Sequence, residues 1–381
     1  MFPEMAIDGL AFGGYGVGRI DGQVCFVAYG VPGDRLRVRI VRRTKSVLWG
    51  EIEEIVSPSA DRVPPTCPYF GRCGGCCWQH IAYPVQEHWK RRIVAETLRR
   101  IGGVKTKSPA NDDFVEATVD WVSDPSRQFG YRTRARYHAS GGSLGFLAPG
   151  SHTVMDIEHC PLCHDRLNAA FARIRELPVR ADVVVVVNPE GGEVLVWTES
   201  PAIRAAFPRT ASFMFDGVPI VNGCFSQASL LLNRLLTRVV NETIGEASSL
   251  LDLYCGNGNL SLPRAGTTRV MGIDHDHRVI EAVRELGMGT YVAGDEAAFR
   301  EALRQPWDVV LLDPPRTGAK AIMAGLGETA THAIVYVSCD PATLARDIKT
   351  LAGHGWKPVR VIAIDLFPHT YHVETVCRLE R

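Results

Sequence analysis

Four short apolar stretches set the frame of this chain: Ser249 to Leu253, Arg269 to Ile273, Asp308 to Asp313 and Ala333 to Ser338. Segments of helical length separate them. Apolar runs alternating with helices are the pattern of parallel strands joined by crossover helices, so the last third of the chain reads as a doubly wound sheet. Such sheets bind ligands beyond the carboxyl ends of their strands, and each run here ends in residues that carry chemistry. The first leads into Asp252-Leu253-Tyr254-Cys255-Gly256-Asn257-Gly258, and the second ends in Gly272-Ile273-Asp274. The third ends in Asp313-Pro314-Pro315-Arg316, and the fourth in Ser338-Cys339-Asp340-Pro341.

The glycine turn after the first strand lets the backbone bend tightly and approach a ligand. Asp274, at the end of the next strand, suits ribose hydroxyls. The third glycine of the dinucleotide fingerprint is missing, which counts against a nicotinamide dinucleotide. An Asp before a short Gly-x-Gly is instead the usual look of class I methyltransferases, whose donor has no pyrophosphate to cradle. Asp295, after Val292-Ala293-Gly294, is placed to hold an adenine edge. The alternative is a tight structural turn.

Cys339 puts a thiol at the open end of a strand, beside a helix opened by Pro341. That position is expected to favour the thiolate. Asp313 opens onto the same edge. His372-Val373-Glu374 supplies a base, Glu374 being preferred to His372 because a carboxyl in a closed site rises towards neutrality. A thiol and a base beside a methyl donor fit one chemistry. A poor carbon nucleophile such as uracil C5 becomes reactive when a thiolate adds to the neighbouring carbon, and its proton must then be removed. The alternatives are a buried apolar thiol and a strand-end ion pair.

The rest of the chain reads differently. Residues 1 to 57 alternate at strand period and are cut by glycines, as in a small β-barrel, and Arg35, Arg37, Arg39, Arg42, Arg43 and Lys45 crowd one segment. Small barrels with basic strands often bind single-stranded nucleic acid. Arg132, Arg134 and Arg136 would share one strand face as a basic stripe, although the formal net charge is +0 and a solvated strand is the alternative. Cys67, Cys73, Cys76 and the distant Cys160 are four thiolates able to hold a [4Fe–4S] cluster. Zinc on Cys73, Cys76, Cys160 and Cys163 is the rival. No apolar run is long enough to span a bilayer and no secretory signal opens the chain, so a cytoplasmic location is expected, with the 11 cysteines reduced.

The runs DLYCGNGNLSL, LLDPPR, YVSCDPATLARD and HVETVCRLER resemble the S-adenosylmethionine-dependent RNA uracil-5-methyltransferases. The likeness covers nearly the whole chain and is strongest from Ser226 onward. It implies a multidomain α/β protein. A TRAM-type barrel would occupy 1–57, an iron–sulfur region 58–84 and 119–222, and a class I methyltransferase domain 85–118 and 223–381. It implies Cys339 as nucleophile, Glu374 as base, and Asp313 touching both donor and uracil. Gln227, Tyr254, Asp274 and Asp295, with Gly256 and Gly258, would hold S-adenosylmethionine. Cys67, Cys73, Cys76 and Cys160 would hold the cluster. The implied substrate is RNA, with large-subunit ribosomal RNA ahead of transfer RNA, and no obligate protein partner is expected beside a monomer. Asp340 and Asp274 depart from the family's Asn and Glu. Two rivals remain at this level: methylation of another RNA position, which needs no thiol, and an RNA chaperone whose catalysis is dispensable.

Overall fold

The computed structural model describes residues 2–104 and 119–381. Residues 105–118, the end of the stretch 85–118 expected to belong with the methyltransferase domain, lie outside them.

Strands β1 (Glu4–Leu10), β2 (Tyr15–Ile20), β3 (Gln23–Ala28), β4 (Arg35–Arg43) and β5 (Val47–Ser57) close a barrel in the order β1-β2-β3-β5-β4. Alternating side chains, among them Met5, Ile7, Val27, Leu36, Val38 and Leu48, fill its interior. Gly18 lets β1 and β2 meet, since a Cβ there would lie 2.0 Å from the Ala6 carbonyl oxygen. Arg35, Arg37 and Arg39 of β4 are not a free basic face. Arg37 bonds Glu4 and Glu54, Arg39 bonds Glu51, and Arg35 bonds Glu4. Acids on the two flanking strands neutralise the row, which counting arginines along the sequence overlooks.

Helix α1 (Tyr83–Arg100) follows, opened by Pro84 and ending on Arg99 and Arg100, which suit its carboxyl-terminal dipole. Its buried residues Tyr83, Gln86, Lys90, Ile93, Val94 and Leu98 recur at helical spacing along one face. Next comes β6 (Asp120–Val122). The central region is a five-stranded antiparallel sheet of β7 (Arg134–Ser140), β8 (Ser143–Leu147), β9 (Val154–Asp156), β10 (Val183–Val187) and β11 (Val194–Thr198), in the order β11-β10-β7-β8-β9. Helix α2 (Asp165–Arg175) covers it, with Phe171 stacked on Tyr137 at 4.0 Å. Helix α3 (Pro201–Ala206) and the hairpin of β12 (Ser212–Phe215) and β13 (Val218–Val221) lead out of it.

The carboxyl-terminal part alternates as its apolar runs require. Its strands are β14 (Ser249–Leu253), β15 (Arg269–Asp274), β16 (Thr290–Ala293), β17 (Trp307–Leu312), β18 (Thr331–Ser338), β19 (Lys357–Ile364) and β20 (Glu374–Glu380). Its helices are α4 (Leu230–Ile244), α5 (His277–Arg284), α6 (Glu296–Ala302), α7 (Met323–Glu328) and α8 (Pro341–Ala352). The sheet order is β16-β15-β14-β17-β18-β20-β19-β6. Strands β14 to β18 are parallel, and β20 inserts antiparallel between β18 and β19. Strand β6 joins as the edge, parallel to β19, so the sheet draws on chain from before the central region.

Residues 365–373, between β19 and β20, lead straight into Glu374 and are fastened from three directions. Lys90 Nζ donates to Asp365 Oδ1 at 2.8 Å and to the Phe367 carbonyl at 2.9 Å, and both charged side chains are fully buried. Tyr83 Oη donates to the other Asp365 oxygen at 3.0 Å. The His369 amide donates to Gln86 Oε1 at 2.9 Å, and the His369 carbonyl accepts from the amides of Cys77 and Trp78. Tyr131, just ahead of β7, donates to the Pro368 carbonyl at 3.0 Å. Replacing Lys90 with Met is therefore expected to lower stability by about 3–5 kcal/mol, because it strands a buried carboxylate. Urea unfolding of the two proteins measures the difference, and an unchanged midpoint would contradict this role for the pair.

Candidate active site

Three strand ends converge on one edge of the sheet. Strand β17 stops at Leu312 and turns through Asp313-Pro314-Pro315-Arg316, where two prolines limit the backbone. Strand β18 stops at Ser338, which leaves Cys339 at the tip before α8. Strand β20 runs the other way, and its register pairs Thr375 with Ser338. Glu374 therefore begins β20 alongside the place where Cys339 leaves β18.

The charges at this edge are coupled. Burial pushes the Cys339 thiol up to about 11; Glu374 adds to the rise, the Arg316 guanidinium opposes it, and Asp313 adds a smaller push. Burial also holds the Glu374 carboxyl well above the usual carboxylate range, with Asp313 raising it further and Arg316 opposing. Asp313 is itself pushed up to about 7 by burial. The edge thus brings together a thiol, two protonatable carboxyls and one guanidinium. Arg316 is the member the sequence reading left without a role; its signal was the proline turn that places it beside Asp313.

The expected thiolate at Cys339 is corrected by this geometry. The amino end of α8 is capped by Asp340, whose Oδ1 accepts from the amides of Ala342 and Thr343 at 2.9 Å each. That carboxylate answers the helix dipole, and burial dominates at the thiol. His372, the rival base, packs its ring against Phe367 and Tyr371, and burial pushes it down to about 4, so it is neutral.

The neighbouring edge is a crevice built on Asp274. Its Oδ2 accepts from the Gly256 amide and its Oδ1 from the Asp276 amide, both at 2.9 Å. One carboxylate thereby ties the glycine turn to β15. The turn needs left-handed backbone at Tyr254 (φ 62°), Gly256 (φ 53°) and Gly258 (φ 76°). A Cβ at Gly258 would come within 3.2 Å of both Tyr291 Oη and Val283. The Tyr254 ring meets Phe299 of α6 edge-on at 4.7 Å. Asp295 caps α6, its Oδ1 accepting from the Ala297 amide at 2.9 Å. Tyr254, Asp274 and Asp295 thus follow the ends of three adjacent strands. Gln227 lies half-buried between β13 and α4, next to Ala228, whose carbonyl accepts from the Thr133 and Arg134 amides. Asp252, the acid ahead of the Gly-x-Gly turn, lies one turn deeper. Burial pushes it up to about 8, the Ser261 hydroxyl opposes the rise, and Asp313 and Asp274 add to it.

The cysteines form a second centre. The charges of Cys67, Cys73 and Cys160 each act on Cys76, and Cys160 acts in turn on Cys67 and Cys73. The Gly75 amide donates to Cys73 Sγ at 3.4 Å, and Gln79 Nε2 donates to Cys76 Sγ at 3.2 Å. Cys160 is pulled down to about 6, chiefly by a hydrogen bond from Cys163 and then by Arg132. Among the described residues, no group of three or more His, Cys, Asp or Glu side chains is placed to hold a single metal ion. The three arginines of the expected stripe have three different surroundings. Arg132 lies by the thiols of Cys163, Cys160 and Cys76, and its Nε has no partner. Arg134 stands 5.9 Å from the ring of the exposed Phe225, and Arg136 bonds Asp182 at 3.1 Å.

A doubly wound sheet whose open edge carries a glycine turn and a ribose-type acid defines a methyltransferase-type domain. A family model described as tRNA (Uracil-5-)-methyltransferase matches residues 304–381. The chain is 32% identical to a 23S rRNA (uracil(1939)-C(5))-methyltransferase of Thiobacillus denitrificans, over 100% of both chains. It is 30% identical to the protein of that name from Cronobacter sakazakii, over 98% of this chain and 95% of the relative. Among solved structures it resembles the Pyrococcus abyssi tRNA (uracil-54, C5)-methyltransferase in complex with S-adenosyl-L-homocysteine. That match has a TM-score of 0.76 and 25% identity, and covers 98% of this chain and 99% of the other. The chain belongs to the RNA uracil-5-methyltransferase family. It is an S-adenosylmethionine-dependent enzyme.

The raised thiol predicts a pH profile. Alkylation of Cys339 by iodoacetamide, followed by peptide mass spectrometry, should be slow at pH 7 and accelerate through about pH 11. Arg316→Gln removes the opposing cation and should slow it further at every pH below that. A fast reaction at pH 7 would contradict the burial argument.

Proposed function

We propose that this protein forms 5-methyluridine in RNA through a covalent adduct on Cys339. The observation that carries the reading is the meeting of Cys339, Glu374, Asp313 and Arg316 at one strand edge. Bound S-adenosylmethionine supplies an electrophilic methyl group. Gln227, Tyr254, Asp274 and Asp295 would hold it against the turn of Gly256 and Gly258; a Cβ on Gly256 would project into open space, whereas one on Gly258 would press on Tyr291 and Val283.

Cys339 Sγ loses its proton to solvent, and the thiolate adds to uracil C6. The C5=C6 electron pair then takes the methyl group at C5, and the donor's carbon–sulfur bond breaks so that its sulfur leaves as a neutral thioether. Glu374, once its own proton has passed to solvent, removes the C5 proton, and the returning electron pair expels Cys339 from C6 as the thiolate. In the free protein the thiol keeps its proton at neutral pH, and burial shifts the Glu374 carboxyl in the same protonated direction, so the nucleophile stays quiet until the substrate fills the edge. The Arg316 guanidinium is the counter-charge for whichever of its three acidic neighbours is ionised. Asp313 lies between donor and base, where its carboxyl can bond the uracil. A stacked uracil cannot reach this edge, so the target uridine is flipped or taken from a loop.

The Cys67, Cys73, Cys76 and Cys160 thiolates hold a [4Fe–4S] cluster. The amide donors to Cys73 and Cys76 and the buried Arg132 cation suit a negatively charged cluster. Methyl transfer moves no net electrons, so the cluster has a structural role. The barrel over 1–57 is of TRAM type, the cluster region takes 58–84 and 123–222, and α1 and β6 join 223–381 in the catalytic part, so the expected boundary at residue 119 shifts past β6. Arg134 and Arg136 face RNA beside the cluster, with Arg132 behind them. The names of the bacterial relatives favour 23S ribosomal RNA over transfer RNA. No helix of the described residues is long and apolar enough to cross a membrane, and a cytoplasmic monomer is the working form.

Unmodified ribosomal and transfer RNA, incubated with methyl-labelled S-adenosylmethionine and digested to nucleosides, test the reaction. Label should appear in 5-methyluridine from one RNA class, and Cys339→Ala should lower the rate by about 10³-fold or more. Label in another nucleoside, or full activity in the variant, would overturn the reading. Protein purified without air should carry about four iron and four sulfide per chain; stoichiometric zinc instead would remove the cluster from the account.

A further inference from the structure

A cavity of about 430 Å³ opens between the barrel and the Cys67–Cys76 segment, and none of the residues of the reaction edge lines it. That volume lies within the roughly 300–1,000 Å³ span of small-molecule sites. Its walls are unusually aromatic for a surface recess. Tyr29 comes from the end of β3, Phe70 from the cysteine segment and His80 from the approach to α1. The rings of Tyr29 and Phe70 meet edge-on at 5.5 Å, Phe70 and His80 lie 5.3 Å apart, and Tyr29 and His80 lie 5.8 Å apart. Pro64 and Pro65 form the exposed rim.

The recess is held rigidly. Tyr29 takes left-handed backbone (φ 63°), a conformation a non-glycine residue adopts only under constraint. Its carbonyl accepts from Arg62 at 2.9 Å, and its hydroxyl donates to the Gly71 carbonyl at 3.3 Å. Arg62 is spent on Asp34, which it meets at 2.5 Å and which is fully buried. The one cation in the wall is therefore already paired, which disfavours an anionic guest such as a free phosphate.

His80 is the most buried of the three rings, at 3% exposed. Burial, helped by the Arg62 charge, pushes it down to about 4 against an opposing backbone hydrogen bond with Tyr29, so the ring is neutral. Three aromatic rings around a recess whose cation is already paired suit the flat face of a heterocycle.

We propose that this cavity is a second RNA pocket, which receives one unstacked base of the substrate, other than the uridine that is methylated, packed against the Phe70 and Tyr29 rings. The inference rests on the RNA-methylating function proposed above. Its logic is positional: Tyr29 belongs to the barrel and Phe70 to the cysteine segment, so a base seated here is gripped by both at once. Stacking on aromatic side chains is the common means of holding an unstacked base.

The test uses the full chain with two transcripts, ribosomal and transfer, carrying 4-thiouridine or 6-thioguanosine in place of the ordinary nucleoside. Irradiation and peptide mass spectrometry should find an RNA adduct on Tyr29, Phe70 or His80. Phe70→Leu, which keeps apolar volume but loses the ring, should abolish that adduct and weaken RNA binding by about tenfold. The Michaelis constant for RNA should rise in step while kcat at saturating RNA is unchanged, and Phe70→Tyr should restore binding. Adducts confined to other regions with both transcripts, or Phe70→Leu binding both within about twofold of the parent, would overturn the proposal. Methyl transfer by the parent is read in the same samples. 5-Methyluridine without the pocket adduct sinks the pocket alone. The adduct without methyl transfer keeps the pocket and sinks the catalytic reading.

Discussion

The buried Lys90–Asp365 pair is the fastening on which the reaction edge depends. A charge pair taken out of water is weak evidence for stability, and its position is what matters here. Asp365 opens the loop that delivers Glu374, and its two oxygens accept from Lys90, Tyr83 and the Phe367 amide. Helix α1 therefore fixes the start of that loop, while Gln86, Cys77, Trp78 and Tyr131 fix its middle. The cysteine segment and the central region thus reach Glu374 through backbone hydrogen bonds. This gives the cysteine centre a physical link to the reaction edge that involves no electron transfer.

Burial and charge compete at that edge, and burial wins. Cys339 sits where a helix dipole could lower its pKa, yet Asp340 occupies the cap and desolvation raises the thiol. Arg316 is exposed, and solvent weakens its pull on the three acidic groups around it. An incoming RNA loop that excludes water from Arg316 would strengthen that pull. Substrate binding and ionisation of the nucleophile are coupled by that screening, which is a sound arrangement for a thiol that must ignore everything except its substrate.

Local patterns were legible in the chain, and long-range pairings were not. The apolar runs gave β14, β15, β17 and β18 within two residues, because a buried parallel strand leaves a continuous apolar signature. The same pattern gave the ends of those strands, hence Asp274, Asp313 and Cys339. That Val359 to Phe367 and Val373 to Glu380 pair as the last two strands is legible in the chain, but the insertion of β20 beside β18, which places Glu374, has no local signal. Lys90 and Asp365 are separated by 275 positions, and each alone looks like an ordinary surface charge. The barrel shows the same gap: arginines at alternate positions of β4 are visible in the sequence, but Glu4, Glu51 and Glu54 oppose them only once the barrel closes. Asp252 was legible as the acid ahead of the glycine turn, but its complete burial beside Asp274 and Asp313 was not.

The central claim is that Cys339 bonds to the substrate and that Glu374 releases it. The most direct measurement is the mass of Glu374→Gln protein after incubation with S-adenosylmethionine and the RNA that the parent methylates, run under denaturing conditions. The account predicts a protein–RNA adduct that survives denaturation, carries one methyl group, and maps to Cys339 after digestion. It arises because the amide cannot take the C5 proton that elimination requires. Complete turnover by this variant, or an adduct on any residue other than Cys339, would contradict it.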